Sequence, residues 1–241
     1  PNETFYADEI IVNADFGYSV TNLFPKECIK KYSEQKLEKK LFSCSTFMLY
    51  LGLDKTYDLP HHNIIFSKDY KKYINDIADY KDINEDVSIY VRNASVSDET
   101  IAPSGFSNMY ILVPVANNRS KIHWEEKKEF RNIVLKIIEE RCNLKDLEKH
   151  IVFEKKITPN DWEAKYNIYL GATFNLGHNL MQMLYFRPHN RFEEVKNCYL
   201  VGGGTHPGSG LPTIYESGRI TANLISKKYG VKFLSKNLQI G

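Results

Sequence analysis

The chain has 241 residues, 42% of them apolar and 26% charged, with 32 Lys and Arg against 30 Asp and Glu for a net charge of +2. That length can bury a core as one large domain or two smaller ones, and the near-neutral balance argues against nucleic acid, which wants a clustered basic excess. No run of about 18 apolar residues occurs, so no membrane-spanning helix is expected.

Sixteen Tyr and thirteen Phe suit a β-rich core or a pocket for an extended apolar ligand. Cys28, Cys44, Cys142 and Cys198 are scattered, with no C-x-x-C pair and no His at metal spacing. Free thiols in a reducing compartment and no metal site are the expectation. His61 and His62 are adjacent and on a strand would point to opposite faces. The opening Pro1-Asn2-Glu3 lacks both Met and a signal-peptide pattern, so the chain is expected to be cut from something longer.

Glu9 to Asp15 reads as a short buried strand, followed by a brief helix from Val20 to Phe24 that Ser19 caps and Pro25 stops. Lys26 to Leu41 is an amphipathic segment with Ile29, Leu37 and Leu41 on its apolar side. Its lysines (26, 30, 31, 36, 39 and 40) would suit anionic lipid headgroups, although a solvated face is the commoner explanation. Strand character begins at Ser43: Thr46–Leu53, Asn63–Phe66, Ser88–Asn93 and Met109–Val115 are apolar, separated by turn-like clusters. Their spacing, with no strong helix between them, favours a mostly antiparallel sheet. Tyr70 to Tyr80 reads equally as a helix or as an excursion over a surface.

Trp124 to Cys142 is the clearest helix, with Phe130, Ile133, Val134, Ile137 and Ile138 recurring at three and four. A short helix (Leu144 to His150) leads into the strand Ile151–Glu154, and Thr158-Pro159-Asn160-Asp161 starts another helix. Leu180 to Phe186 combines Met with flat aromatics, suiting an adaptable apolar pocket or plain core.

The most informative stretch is Asn197 to Thr213. The apolar run Cys198–Val201 gives way to five glycines in nine positions (202, 203, 204, 208 and 210), then to helix-start signals. Glycine is needed where φ turns positive or where a ligand must touch the main chain. A helix N-terminus directly after such a turn offers free N–H groups and a positive dipole end, so the arrangement suits a phosphate or another electron-rich group. A tight strand-to-helix loop without a ligand is the bland alternative. The helix starts either with Pro212 in its first turn or with a Thr213–Glu216 capping box, and runs to about Ser226. Ser217, Gly218, Thr221 and Ala222 give it a small-residue face for close packing.

Phe186-Arg187-Pro188 followed by Tyr199-Leu200-Val201-Gly202-Gly203-Gly204-Thr205-His206-Pro207-Gly208-Ser209-Gly210-Leu211-Pro212 resembles the C-terminal signature of the bacterial phytoene desaturase family. These are flavin-dependent carotenoid desaturases related to amine oxidases. Ala14-Asp15, Cys44 to Gly52 and Thr158 to Asp161 extend the resemblance along nearly the whole chain, in the pattern of the 4,4'-diapophytoene (dehydrosqualene) desaturases. The T-H-P-G-x-G-x-P string does not separate desaturases from isomerases, saturases or related oxygenases on the same scaffold, and a non-catalytic apolar-ligand-binding fragment is a further alternative.

The resemblance implies an α/β (α+β) fold: the C-terminal portion of an FAD/NAD(P)-binding Rossmann-type flavoprotein with a mostly antiparallel-sheet substrate domain. Residues 1–25 would be the last strand of the FAD domain and the crossover, 26–185 the substrate domain, and 186–241 the return to the FAD domain. The family's G-x-G-x-x-G half is absent from this sequence and is expected upstream. By resemblance, FAD is the cofactor, held by Gly202, Gly203, Gly204, Thr205, His206, Gly208, Gly210, Leu211, Pro212 and Thr213. The substrate would be an apolar isoprenoid, with hydride passing to the flavin. The expected setting is the cytoplasm, peripheral at the membrane. A polyene carries no charged handle, so no catalytic residue can be named from spacing.

Overall fold

A computed structural model describes residues 3–232. In chain order the elements are β1 (Ile10–Val12), α1 (Phe16–Tyr18), α2 (Glu34–Glu38), β2 (Ser45–Leu53), β3 (His62–Ile65), α3 (Tyr70–Ala78), β4 (Ile89–Asn93), β5 (Ser107–Val115), α4 (Phe130–Cys142), β6 (Ile151–Ile157), α5 (Pro159–Tyr166), β7 (Cys198–Leu200) and α6 (Leu211–Lys228), with short 3₁₀ and π-helical turns between them. The chain divides into two compact units: residues 44–166 with 170–173, and residues 1–43 with 167–169 and 174 onward. Residues 26–43 and 174–185 therefore fall in the same unit as β7 and α6.

The first unit is built on a five-stranded sheet in the order β3-β4-β5-β2-β6, with every neighbouring pair antiparallel. Along β5 the pleat alternates strictly: Ser107, Met109, Ile111, Val113 and Val115 are buried, and the residues between them are half-buried. One face thus carries a core and the other does not, which is how an antiparallel sheet reads when helices cover one side. The covered face packs against α3 and α4 through Tyr73, Phe130, Val134, Leu135 and Ile138. Phe47 on β2 lies between Trp124, stacked at 5.7 Å, and Phe130, edge-on at 5.0 Å. Each such side chain contributes about 1.5–3 kcal/mol by leaving water. Arg131 on α4 holds β6 through a two-pronged pair with Glu154 (Nε to Oε1 3.0 Å, Nη2 to Oε2 2.7 Å). The Thr158 hydroxyl and Asp161 carboxylate bond each other's backbone N–H and so open α5.

The second unit contains the parallel pair β1–β7, registered Ile10 to Cys198 through Val12 to Leu200. On its other edge β7 is bridged by Arg191 and bonded by Asn190 and Phe192.

Several expectations shift at element ends. Asp15, not Ser19, caps the first helix: its carboxylate accepts from Tyr18 N–H, while buried Ser19 donates back to the Asp15 carbonyl. Lys26 to Leu41 is not one amphipathic segment. The Glu194 carboxylate takes the N–H groups of Lys30, Lys31 and Tyr32, breaking the run into a 3₁₀ turn and the five-residue α2. Ile29 and Leu37 are buried, but Leu41 is exposed. Tyr70 to Tyr80 resolves as the helix α3. The helix expected from Trp124 starts only at Phe130; Trp124 belongs to the core from a preceding turn. Only Leu147–His150 of the next expected helix is helical, as a 3₁₀ turn, and β6 runs three residues beyond Glu154 to Ile157.

Candidate functional site

Between β7 and α6 the chain makes the glycine turn. Gly202 (φ +108°), Gly208 (φ +149°) and Gly210 (φ +99°) adopt backbone that side chains resist. Gly204 is required for another reason, since a Cβ there would stand 2.3 Å from Phe16 Cβ and 2.7 Å from Asn175 Oδ1. Gly203 differs from all of these. Its φ is ordinary, and the nearest atom to an added Cβ would be Ser209 Cβ at 3.5 Å, a normal contact. The chain's own packing therefore does not ask for glycine at 203.

Four polar residues hold the turn. Arg187 is 1% exposed. Its guanidinium donates to the carbonyls of Gly203 (Nη2 2.8 Å, Nε 3.2 Å), Leu176 (Nη2 3.1 Å), Gln182 (Nη1 3.1 Å) and Gly177 (Nη1 3.5 Å). Among the described residues no carboxylate pairs with it. Burial lowers its pKa to about 10, which leaves it charged at neutral pH. The Asn190 amide donates to Leu200 O, His206 O and Ser217 O. Ser217, buried in α6, accepts Gly202 N–H at 2.9 Å, and Thr221 donates to Leu200 O at 3.2 Å. The small-residue face of α6 thus serves close packing through two hydroxyls.

Thr205 is buried and donates to Pro188 O at 2.6 Å; His206 Nδ1 donates to Leu184 O at 3.0 Å. Both side chains are turned onto the loop's own backbone. α6 opens with Leu211, places Pro212 second, and has no side-chain cap on Gly210. Its first helical bond is Ile214 N–H to Gly210 O at 2.9 Å, so the N–H groups of Leu211 and Thr213 lie ahead of it. The Thr213–Glu216 capping box does not form. Thr213 donates backwards to Ser209 O and Gly210 O, and Glu216 pairs with Arg219.

Asp15 anchors the same unit. Its carboxylate accepts from Tyr18 N–H (2.9 Å), Tyr169 N–H (3.2 Å) and the Asn175 amide. Burial nonetheless raises its pKa above the ordinary 3.8. His178, hydrogen-bonded to the Ser209 hydroxyl, has its pKa lowered by burial and then by the Arg187 charge.

Gly202 to Thr213, the stretch whose resemblance implies cofactor binding, runs as one turn into the start of α6. Arg187, Asn190 and Ser217 were not singled out as binding or positioning residues. For Arg187 and Asn190 the signal lies in Phe186-Arg187-Pro188-His189-Asn190, where an apolar run turns abruptly polar, but nothing local says that their partners are backbone carbonyls distant in sequence. Leu180 to Phe186 forms neither core nor an enclosed pocket: Leu180, Met181, Leu184, Tyr185 and Phe186 are exposed, while Gln182 is buried and bonds both N–H and O of Leu41.

A second surface is the sheet face opposite the helical core. One registered row crosses all five strands: His62, Arg92, Tyr110, Tyr50 and Lys155. Tyr50 and Tyr110 lie 6.0 Å apart, with Tyr90 edge-on to Tyr110 at 5.5 Å. Burial raises the phenol pKa values of Tyr50 and Tyr110, so both stay neutral. His61 and His62 do not point to opposite faces; their rings stack at 4.2 Å because β3 begins only at His62. All four cysteines are free. Among the described residues there is no cluster of three or more potential metal ligands, and no helix is long and apolar enough to cross a membrane.

No family model matches the chain. Over 94% of its length it is 56% identical to a 4,4'-diapophytoene desaturase (4,4'-diapolycopene-forming) of Methylomonas sp, covering 44% of that protein. It is 37% identical, over 95% of its length, to an all-trans-zeta-carotene desaturase of Myxococcus xanthus, again covering 44%. The crystal structure of an oxidoreductase from Methanosarcina mazei shares the fold at TM-score 0.55 and 13% identity, over 92% of this chain and 44% of that one. The chain thus spans less than half the length of these proteins.

Proposed function

We propose, from this chain's membership of the carotenoid desaturase family over the stretch they share, that it contributes to FAD-dependent dehydrogenation of an isoprenoid precursor such as phytoene or diapophytoene. The observation that carries the cofactor half of this reading is Gly203, a glycine with ordinary φ and room for a Cβ, in a turn that opens a long helix. Approach of a flat ligand to the main chain accounts for a glycine that the fold itself does not need.

Residues 1–25 and 186–241 are assigned to the cofactor and 26–185 to the substrate, with 26–43 and 174–185 built into the same compact unit as the glycine turn. Gly202, Gly203, Gly204, Gly208 and Gly210 would present bare backbone to FAD. Leu211, Pro212 and Thr213 would present the positive end of α6, a dipole worth about 0.3–2 kcal/mol toward a developing negative charge. Thr205 and His206 would act by fixing the loop. When bound, FAD supplies the hydride acceptor. The relatives' further length is assigned the pyrophosphate-binding G-x-G-x-x-G half, as part of the same protein.

For the isoprenoid, the open sheet face with Tyr50, Tyr90, Tyr110 and Leu112 offers flat, half-buried surface, bordered in the same row by Arg92 and Lys155. Binding there needs no charged anchor, because burial of apolar area at about 25 cal/mol per Å² supplies the attraction. Such a substrate dissolves in the bilayer, so the complete enzyme is placed in the cytoplasm, peripheral at the membrane.

The test is to purify the complete protein, record its flavin absorbance, and analyse products in a host making both C30 and C40 precursors. Bound FAD and a dehydrogenated product are expected. A complete protein that purifies without FAD and cannot be reconstituted would overturn the reading.

A further inference from the structure

Arg187 poses an electrostatic question that the fold leaves unanswered. Burying an isolated cation costs several kcal/mol unless an anion and full hydrogen bonding offset it. Here the hydrogen bonding is complete, yet every acceptor is a backbone carbonyl, and among the described residues no carboxylate pairs with the guanidinium. The contrast with Arg131, which is held by two carboxylates, shows what this chain does with a structural arginine.

The strongest of these contacts is on the glycine turn. Nη2 and Nε both donate to Gly203 O, so the charge polarises the peptide between Gly203 and Gly204. That peptide is trans, since the one cis bond among the described residues is His206–Pro207. In a planar trans peptide the N–H points opposite to the C=O. The Gly204 N–H is therefore made more positive on the side away from Arg187. A Cβ added at Gly208 would stand 4.0 Å from Arg187 Nε, so the turn passes near the same guanidinium a second time. His178, which bonds the turn at Ser209, also feels the Arg187 charge.

We propose that Arg187 is a positioning residue whose buried charge, paired with no carboxylate among the described residues and relayed through the Gly203–Gly204 peptide, favours negative charge on the ring of the cofactor seated at the glycine turn. This rests on the flavin reading above. A cation acting in this way makes the cofactor a better electron-pair acceptor without touching it. A purely structural Arg187 would only hold the turn closed.

Sulfite tests this separately from turnover, because it adds to oxidised flavin and leaves the ring anionic. The complete protein, Arg187→Met and Arg187→Lys are compared by FAD content and by sulfite dissociation constant from loss of flavin absorbance. Arg187→Met should weaken sulfite binding at least tenfold, and Arg187→Lys, which keeps the charge, should stay within about threefold of the parent, in keeping with the penalty expected for an altered nearby charge. Unchanged sulfite affinity in Arg187→Met, or equal loss in both variants, overturns the proposal. Loss of FAD affinity with unchanged sulfite affinity in the flavin-loaded fraction also overturns it, and assigns the charge to a phosphate. Should Arg187→Met not accumulate as a flavoprotein, Arg187→Lys decides alone: parental sulfite affinity supports the proposal and a tenfold loss with the charge retained refutes it. Absence of FAD from the parent protein would instead defeat the flavin reading itself.

Discussion

Gly204 meets Phe16 so closely that even a methyl group would stand 2.3 Å from Phe16 Cβ. One residue earlier, at Gly203, the same methyl would make an ordinary contact at 3.5 Å. The two neighbours should therefore respond to substitution in opposite ways. Gly204→Ala is expected to lower stability by about 3 kcal/mol, the upper end of overpacking costs. Gly203→Val should keep the fold while FAD content falls. Urea unfolding together with flavin absorbance of the complete protein checks both. Full FAD content in Gly203→Val would remove the cofactor assignment at that position.

Asp15 gives a pH signature. Its carboxyl holds a proton more tightly folded than unfolded, so as pH rises from about its ordinary 3.8 through the raised value, its charged form increasingly opposes folding. Asp15→Asn lacks this titration. The stability of the parent minus that of the variant should decline across this window and then level off. Unfolding free energies measured at a series of pH values test it; a difference that stays constant with pH would mean that burial does not govern this carboxyl.

Phe47 is the packing centre of the sheet unit. Phe47→Ala should cost about 3–5 kcal/mol through lost burial and the cavity between Trp124 and Phe130. Denaturant titration followed by Trp fluorescence reads this directly. A loss below about 1 kcal/mol would show that the ring stack is not part of the cooperative core.

The strands were readable because the pleat writes itself into sequence: β5 alternates buried and half-buried side chains over nine residues, and β2 is apolar on both faces. The glycine turn was readable because three of its five glycines answer a local demand, positive φ, although Gly204 answers a tertiary one, its contact with Phe16 and Asn175. Arg187 and Asn190 were not, because they serve carbonyls that only the folded chain brings near them, and a carbonyl leaves no mark in a sequence. Trp124 looked helical because a large apolar residue just ahead of a periodic run satisfies the pattern from a turn as well. The lysine-rich segment failed as a single element for a tertiary reason: Glu194 captures backbone N–H groups that a continuous helix would have used.

Tyr110 tests the substrate half. Tyr110→Ala should raise KM for the isoprenoid roughly two- to tenfold, the scale of one lost aromatic contact, with kcat less affected. Tyr110→Phe should be near neutral, since a neutral phenol is not required for chemistry. Steady-state kinetics on lipid-dispersed substrate would check this; unchanged KM in the alanine variant would move the isoprenoid off this face.

The 241-residue chain by itself should bind FAD weakly or not at all, because the sequence offers no G-x-G-x-x-G cradle. Calorimetric titration decides. Tight, stoichiometric binding would mean that the glycine turn suffices as a complete site.

The pairing of Ile10 with Cys198 sets an order of events during synthesis. All five strands of the larger sheet lie between Ser45 and Ile157, so that unit can close while the ribosome is still making the rest. The β1 edge that takes β7 has to wait, its backbone ladder groups unpaired, until Cys198–Leu200 has been made. Pairings so distant in sequence are slow to form and open to wrong partners meanwhile. A ribosome that stalls before Cys198 would release a finished sheet beside a β1 edge that lacks its β7 partner, an edge open to pairing with another chain.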